Sequence, residues 1–383
     1  MNQKELELYI HIPFCVKKCS YCDFLSAPAT EQTKEAYMAA LFAEIGGRAK
    51  DYKDRIVTSV FIGGGTPSLL SGDSIRQLME HIREGFTLAP DAEITMEVNP
   101  GTVTVEKLTA FYGAGINRLS IGMQSAQEQE LKILGRIHDF DGFCQVYLEA
   151  VEAGFTNINV DVMSGLPGQT LVSYKDTLEK VLRLEPMPQH ISAYSLIVEE
   201  GTTFAAMADR GELPLPEEDT ERAMYEETIE VLAGYGFHRY EISNYALDGY
   251  ECRHNVGYWI RRDYLGFGIG AASLIGNVRF QNGRDLNAYL AHPFACREEE
   301  QSLTTQEQME ETMFLGLRLI RGVSYPEFAR CYGQTLEEVY GEVIARNVAD
   351  GLLTVREDET GRRLTLTGRG LDVSNYVMAQ FLF

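Results

Sequence analysis

Three cysteines stand within eight residues, in the string His11-Ile12-Pro13-Phe14-Cys15-Val16-Lys17-Lys18-Cys19-Ser20-Tyr21-Cys22. The spacing Cys-x3-Cys-x2-Cys lets three thiolates on one short loop converge on one metal centre. Structural zinc takes four closed ligands, commonly from paired Cys-x2-Cys units, and the chain has no second pair. Zinc completed by His11 is the plainer alternative. A [4Fe–4S] cluster normally takes four cysteines, so three leave one iron open to a substrate or cofactor. The remaining thiols, Cys144, Cys252, Cys296 and Cys331, are scattered and read as ordinary apolar or surface groups. Cys252 is set apart only by lying two residues before His254.

The elements that must position this loop follow from the pattern of apolar runs. Strand-like segments recur at Leu6–Pro13, Ser59–Gly65, Glu93–Pro100, Arg118–Gln124, Asn157–Pro167 and His190–Leu196. Between them lie runs with helical period, such as Tyr37-Met38-Leu41-Phe42-Ile45 and Ile75-Leu78-Met79-Ile82. Alternating strands and helices make βαβ units and a parallel sheet with right-handed crossovers. Six units are too few to close an eight-unit barrel, so the expected fold is α/β, a partial (β/α)6 barrel over residues 1–245. Residues 246–303 read as a bridging segment. From Thr304 two helices and a hairpin, Leu353–Arg356 with Arg363–Leu366, predict a helical, winged-helix-like C-terminal domain over 304–383.

Composition bounds the partners. The chain has 383 residues, with 34 Lys and Arg against 56 Asp and Glu, a net charge of −22. That balance disfavours nucleic acid and anionic membrane surfaces, and the C-terminal domain reads as structural or partner-facing. An odd count of seven cysteines in a chain this long argues against a disulfide framework. No signal peptide and no run of about 18 apolar residues stands out, so a reducing cytoplasm is the expected location and an integral membrane segment is not expected.

Polar groups and glycines gather where the strands end, the face that carries the active site in barrel-like α/β proteins. Gly63-Gly64-Gly65-Thr66-Pro67 lacks the Gly-Lys-Ser/Thr of a P-loop and reads either as a tight turn or as a close backbone approach to a ligand. Glu97, Gln124, Arg136 and Asp161 stand at or just beyond strand ends. Each alone reads as a solvated or capping residue; together they offer an arginine for a carboxylate, acids for an ammonium or ribose hydroxyls, and an amide for either. Ser125 and Asn159 read as structural neighbours.

The cysteine spacing resembles that of the radical S-adenosylmethionine (radical SAM) superfamily. The wider string Tyr9-x-His11-Ile12-Pro13-Phe14-Cys15 resembles the branch that contains oxygen-independent coproporphyrinogen dehydrogenase (HemN) and the haem chaperones (HemW), and the likeness extends over essentially the whole chain. The resemblance implies a [4Fe–4S] cluster on Cys15, Cys19 and Cys22, with its open iron chelated by the amino and carboxylate groups of SAM. It implies that Tyr21 packs near the adenine, and that Tyr9, Gly64, Gly65, Thr66, Glu97, Gln124, Arg136 and Asp161 contact SAM.

Two features divide the branch. The dehydrogenases carry a further cysteine two residues after the third; here that position is Phe24. His254-Asn255-Val256-Gly257-Tyr258-Trp259 matches the HNxxYW motif of the haem chaperones, which implies haem near His254, Tyr258 and Trp259. Taken alone, His254 reads as a hydrogen-bonded structural histidine. The extra N-terminal residues of the dehydrogenases are not expected, since about five residues precede Leu6. The resemblance thus implies a haem chaperone serving client haemoproteins, with no catalytic residue assigned and a homodimer suggested. The alternative is a radical SAM oxidative decarboxylase of porphyrin biosynthesis, and an enzyme acting on RNA is disfavoured by the charge.

Overall fold

A computed structural model of the chain describes residues 4–294 and 297–382. Its centre is a run of six parallel strands, β1 (Lys4–Ile12), β2 (Arg55–Gly64), β3 (Thr87–Val98), β4 (Arg118–Gln124), β5 (Ile158–Ser164) and β6 (His190–Ser195), each paired with the next. Helices cover the outer side of the sheet, so the outward-facing positions of these strands are apolar. All seven residues of β4 are buried, and the helix Gly72–Gly85 presents Ile75, Leu78, Met79 and Ile82 to the sheet at helical spacing. The α/β reading and the open six-unit barrel are what the chain adopts.

Both edges carry more strands than the sequence reading named. β8 (Asn244–Ala246) adds antiparallel to β6, and β7 (His238–Arg239) adds antiparallel to β8. At the other edge β9 (Tyr264–Phe267) pairs parallel with β1, and β10 (Ala272–Ile275), β11 (Val278–Asn282) and β12 (Arg297–Ser302) continue outward. Among the described residues this makes one twelve-stranded sheet that stays open. These added strands are two to six residues long, too short for a periodic signal. β5 stops at Ser164 rather than at Pro167 because Gly165, at φ 72°, turns the backbone out of the extended region.

The C-terminal residues form a second core around Met313, Leu317, Phe328, Leu336, Leu353 and Leu364. Helices Thr305–Gly316, Tyr325–Tyr332 and Leu336–Ala349 pack on the three-stranded sheet β13 (Val323–Ser324), β15 (Gly361–Leu366) and β14 (Leu353–Asp358), the winged-helix-like pattern. The helices Thr305–Gly316 and Leu336–Ala349 each open with a capping box, from Thr304 with Glu307 and from Thr335 with Glu338. Among the described residues no helix is long and apolar enough to cross a membrane.

One buried carboxylate locks the added edge to the barrel. Glu44, on the helix Glu31–Arg48, pairs with Arg48 at 3.0 Å and accepts from the Gly268 amide (2.9 Å), Asn282 Nδ2 (2.8 Å) and the Tyr289 hydroxyl (2.7 Å). Removing it strands a buried cation and three donors. We expect Glu44→Ala to lower unfolding free energy by about 3–5 kcal/mol in a denaturant titration; a loss under about 1 kcal/mol would show that the edge is held by other contacts.

Candidate functional site

The loop after β1 is pinned at several points. The Phe14–Ala27 bridge closes its base, with Cys15 N donating to Ala27 O and Ala27 N to Pro13 O. Ser20 N donates to Leu134 O, and Phe204 N donates to Ser20 O, so two outer helices hold its middle. His11 Nε2 lies 2.8 Å from Leu25 O, which can only accept; Nε2 therefore carries the proton, and Nδ1 accepts from the Tyr9 hydroxyl at 3.0 Å. Both ring nitrogens are used, which removes His11 as a fourth metal ligand. Among the described residues no three His, Cys, Asp or Glu are arranged to hold a single ion.

Cys15, Cys19 and Cys22 line one cavity of about 520 Å³ at the carboxyl ends of β1–β6. Tyr21, Gly64, Gly65, Thr66, Glu97, Gln124, Arg136 and Asp161 line it too, so eleven of the fifteen candidate residues come together. Strand periodicity explains the interior: β4 turns Arg118, Ser120, Gly122 and Gln124 inward at every second position, and β5 does so with Asn159, Asp161 and Met163.

Hydrogen bonds tie the loop to three strand ends. Thr66 Oγ1 points at Cys15 Sγ (3.5 Å) and accepts from Asn99 Nδ2 (2.9 Å). Arg136 donates to Asn99 Oδ1 and to Gly122 O, both at 2.5 Å, and its Nη1 reaches to 4.0 Å from Cys19 Sγ. Its buried Nε has no partner among the described residues. Sulfurs that share one cavity with a threonine hydroxyl and a guanidinium beside them suit a cluster with anionic thiolate ligands.

The acids are strained by burial. Glu97 accepts from the Gly64 amide at 3.0 Å, yet desolvation and the nearby Asp161 push its pKa up to about 8. Asp161 is raised as well, chiefly by desolvation, against hydrogen bonds from Asn159 (2.6 Å) and Ser120 (3.3 Å). Gly64 is required by its neighbour: at φ 109° a Cβ there would stand 2.5 Å from the His11 ring. Gln124 holds a positive φ of 71° without being glycine, and its Oε1 accepts from the Tyr194 hydroxyl at 2.9 Å.

Four candidates stand outside the cavity wall. Tyr9 sits one layer behind it, stacked on Phe61, which does line the cavity. His254 is 1% exposed: its Nδ1 is 2.8 Å from Ser59 Oγ, its Nε2 is 2.9 Å from the Tyr258 hydroxyl, and its ring stacks on Phe61. Burial, helped by the charges of Arg118 and Arg262, lowers its pKa to about 3, so the ring is neutral. Both nitrogens are occupied, so His254 is enclosed and hydrogen-bonded in this arrangement. Tyr258 packs edge-on against Tyr264, and Trp259 lies under the Arg318 guanidinium at 4.5 Å. Cys252 is fully buried, its thiol 3.5 Å from Glu93, and burial pushes its pKa up to about 12. Cys144 is half-buried and Cys331 exposed; Cys296 lies outside the described residues.

Sequence reasoning missed Asn99 and Asn255. Asn99 joins Thr66 to Arg136 and was legible only as part of the strand end Glu97-Val98-Asn99-Pro100. Asn255 is the one residue of the HNxxYW string on the cavity wall, and no local pattern separates it from its neighbours.

The fold and cavity are those of a radical SAM protein. The radical SAM superfamily profile matches residues 9–181, and the HemN C-terminal domain profile matches residues 303–373. The chain is 37% identical over 387 residues to Heme chaperone HemW of Lactococcus lactis subsp. lactis (strain IL1403), covering 100% of this chain and 98% of that protein. It is 38% identical to Heme chaperone HemW of Bacillus subtilis (strain 168), over 98% of both chains, and 38% identical to that of Escherichia coli (strain K12), over 91% and 92%. The solved coproporphyrinogen III oxidase HemN from Escherichia coli superposes with a TM-score of 0.84 at 26% identity, covering 99% of this chain and 90% of that one. The chain therefore belongs to the HemW family of the radical SAM superfamily.

Between about pH 4.5 and 8 the folded protein keeps a proton on Glu97 that the unfolded chain has released. Stability contributed by this group therefore falls as pH rises through that window, by up to about 1.4 kcal/mol per pH unit. Glu7, also raised to about 8 by burial, adds a slope of the same sign. Thermal or denaturant unfolding of Glu97→Gln without added cofactor should show a shallower decline across pH 5–8, leaving the part contributed by the other raised acids, Glu7, Glu44 and Asp161. A slope equal to that of the wild type would place the Glu97 pKa near its ordinary value.

Proposed function

We propose that the chain is a haem chaperone: it binds a [4Fe–4S] cluster through Cys15, Cys19 and Cys22, takes SAM on the open iron, and delivers haem to client haemoproteins in a reducing cytoplasm. The observation that carries the reading is the shared cavity, in which three thiols face the polar ends of six strands. The full-length likeness to heme chaperones supports the haem part, and the exposed Phe24, 58% accessible where the dehydrogenases have a cysteine, fits it.

When bound, the cluster supplies an electron and a Lewis-acidic iron to SAM. The chain's own groups bind and orient. Glu97 and Asp161 offer carboxylates for an ammonium or ribose hydroxyls, and arrival of a cation would drive the proton off Glu97. Arg136, with its spare Nε, suits the carboxylate of SAM. Gly64, Gly65 and Thr66 bring backbone close to the ligand, Gln124 offers an amide, and Tyr21 offers a ring face. Tyr9 acts through His11 and Phe61 and is a positioning residue. Haem belongs beside the helix Arg253–Trp259, whose His254 and Tyr258 hold the helix in place rather than reaching the ligand.

A second reading, oxidative decarboxylation of coproporphyrinogen III, is favoured by the likeness to the HemN structure over nearly the whole chain. Anaerobic reconstitution separates the claims. Cys19→Ala should lose the iron–sulfur absorbance that Cys331→Ala retains; equal absorbance in both would remove the loop as ligand. The reconstituted wild type should yield no protoporphyrinogen from coproporphyrinogen III, whereas sustained turnover would establish the enzyme instead.

A further inference from the structure

The helix Arg253–Trp259 has two working faces. Asn255 faces the barrel cavity, while Arg253, Val256 and, just past its end, Ile260 share the other side at spacings of three and four residues. That other side forms one wall of a second cavity, of about 840 Å³, closed by the C-terminal domain. Its apolar lining comes from Val256, Ile260, Leu319 and Ile320, and its volume lies within the ~300–1,000 Å³ typical of small-molecule sites.

The charged lining is unusual for a chain of net charge −22. Six arginines border the cavity, and the three that come from outside the C-terminal domain are already bound. Arg239 donates to the Tyr225 hydroxyl and to Ile242 O, Arg253 pairs with Asp91, and Arg262 pairs with Glu5 and Glu7. The other three, Arg321, Arg356 and Arg363, come from the C-terminal domain. Among the described residues none of them meets a carboxylate at ion-pair distance.

These three are also held together. Arg356 and Arg363 are direct cross-strand partners in the β14–β15 hairpin, an opposition of like charges that costs stability. Arg363 donates Nε to Arg321 O at 2.8 Å and Nη2 to Gly322 O at 3.1 Å, which fixes it beside Arg321. Two carboxylates also border the cavity, Glu251 and Glu357, and Glu251 is engaged by His238 at 2.8 Å. Two guanidinium forks without a hydrogen-bonded partner among the described residues, Arg321 and Arg356, beside the backbone-held cation of Arg363 and opposite an apolar helix face, suit a flat apolar molecule that carries carboxylates.

We propose that this cleft holds haem, with the porphyrin against Val256 and Ile260 and its propionates on Arg321, Arg356 and Arg363. The inference rests on the haem-chaperone reading and adds where the cargo sits. It also gives the motif helix a second role, as the shared wall between cofactor cavity and cargo cleft.

Neither Arg321 nor Arg356 makes a side-chain hydrogen bond among the described residues, so the Arg321→Glu/Arg356→Glu double variant should fold. Haem and haem dimethyl ester, which lacks the propionate charges, are titrated separately and followed by Soret absorbance. We expect the wild type to prefer haem to its ester about tenfold, and the double variant to bind haem about tenfold more weakly with that preference gone. Ile260→Asp, at an exposed position on the opposite wall, should weaken both ligands and covers the case in which the double variant does not fold. A wild type that binds and transfers haem but ignores esterification, or folded variants with wild-type affinity, would overturn the cleft and leave the chaperone reading standing. A wild type that binds no haem would overturn both.

Discussion

Arg136 is the point at which the cysteine loop, the glycine turn and the strand ends become one site. Its guanidinium bonds the Gly122 carbonyl at the end of β4 and Asn99 just past β3, and Asn99 continues to Thr66 and so to Cys15. The same group lies beside Cys19. A fixed, part-buried cation here would offset the negative charge that thiolates of a bound cluster would bring into a cavity with two raised, burial-strained acids. Without it the hydrogen-bonded path from the loop through Thr66 and Asn99 to the end of β4 would be cut, while Arg118 would remain as the counter-charge beside Asp161.

The second constraint lies behind the cavity. Glu93 on β3 accepts the amides of Arg253 and His254 at 3.0 and 3.2 Å, capping the motif helix from another element. Glu7 on β1 sits so close to Gly257 that a Cβ there would lie 1.9 Å from Oε1. His254, Ser59, Phe61 and Tyr258 fill the space between. The motif His254–Trp259 is thus largely a docking device: it presses a short helix onto β1, β2 and β3, and the residues it leaves outward-facing border the two cavities.

The cluster loop and the parallel strands were legible because their signals are local. Three cysteines within one loop, and apolar runs ending in glycine or polar residues, carry their meaning in consecutive residues. The turn of alternate β4 and β5 residues into the cavity follows from strand geometry alone. What was not legible depends on distant pairs. His254 could not be read as enclosed, because Ser59 lies 195 residues away in sequence. The pairing of β9 with β1 joins Tyr264 to Glu7 across the whole barrel, so residues after 246 gave no sign of returning to the sheet's first strand. The arginine cleft was hidden for the same reason, and because the acidic total masks a local surplus of cations.

Delivery of haem is measured directly by transfer. The anaerobically reconstituted protein, loaded with haem, is mixed with an apo-haemoprotein client, and the client's Soret band and regained activity are followed. Transfer from the haem-loaded protein should be faster or more complete than from free haem at the same concentration. Haem that stays on the protein, or a client that fills no better than with free haem, would contradict it.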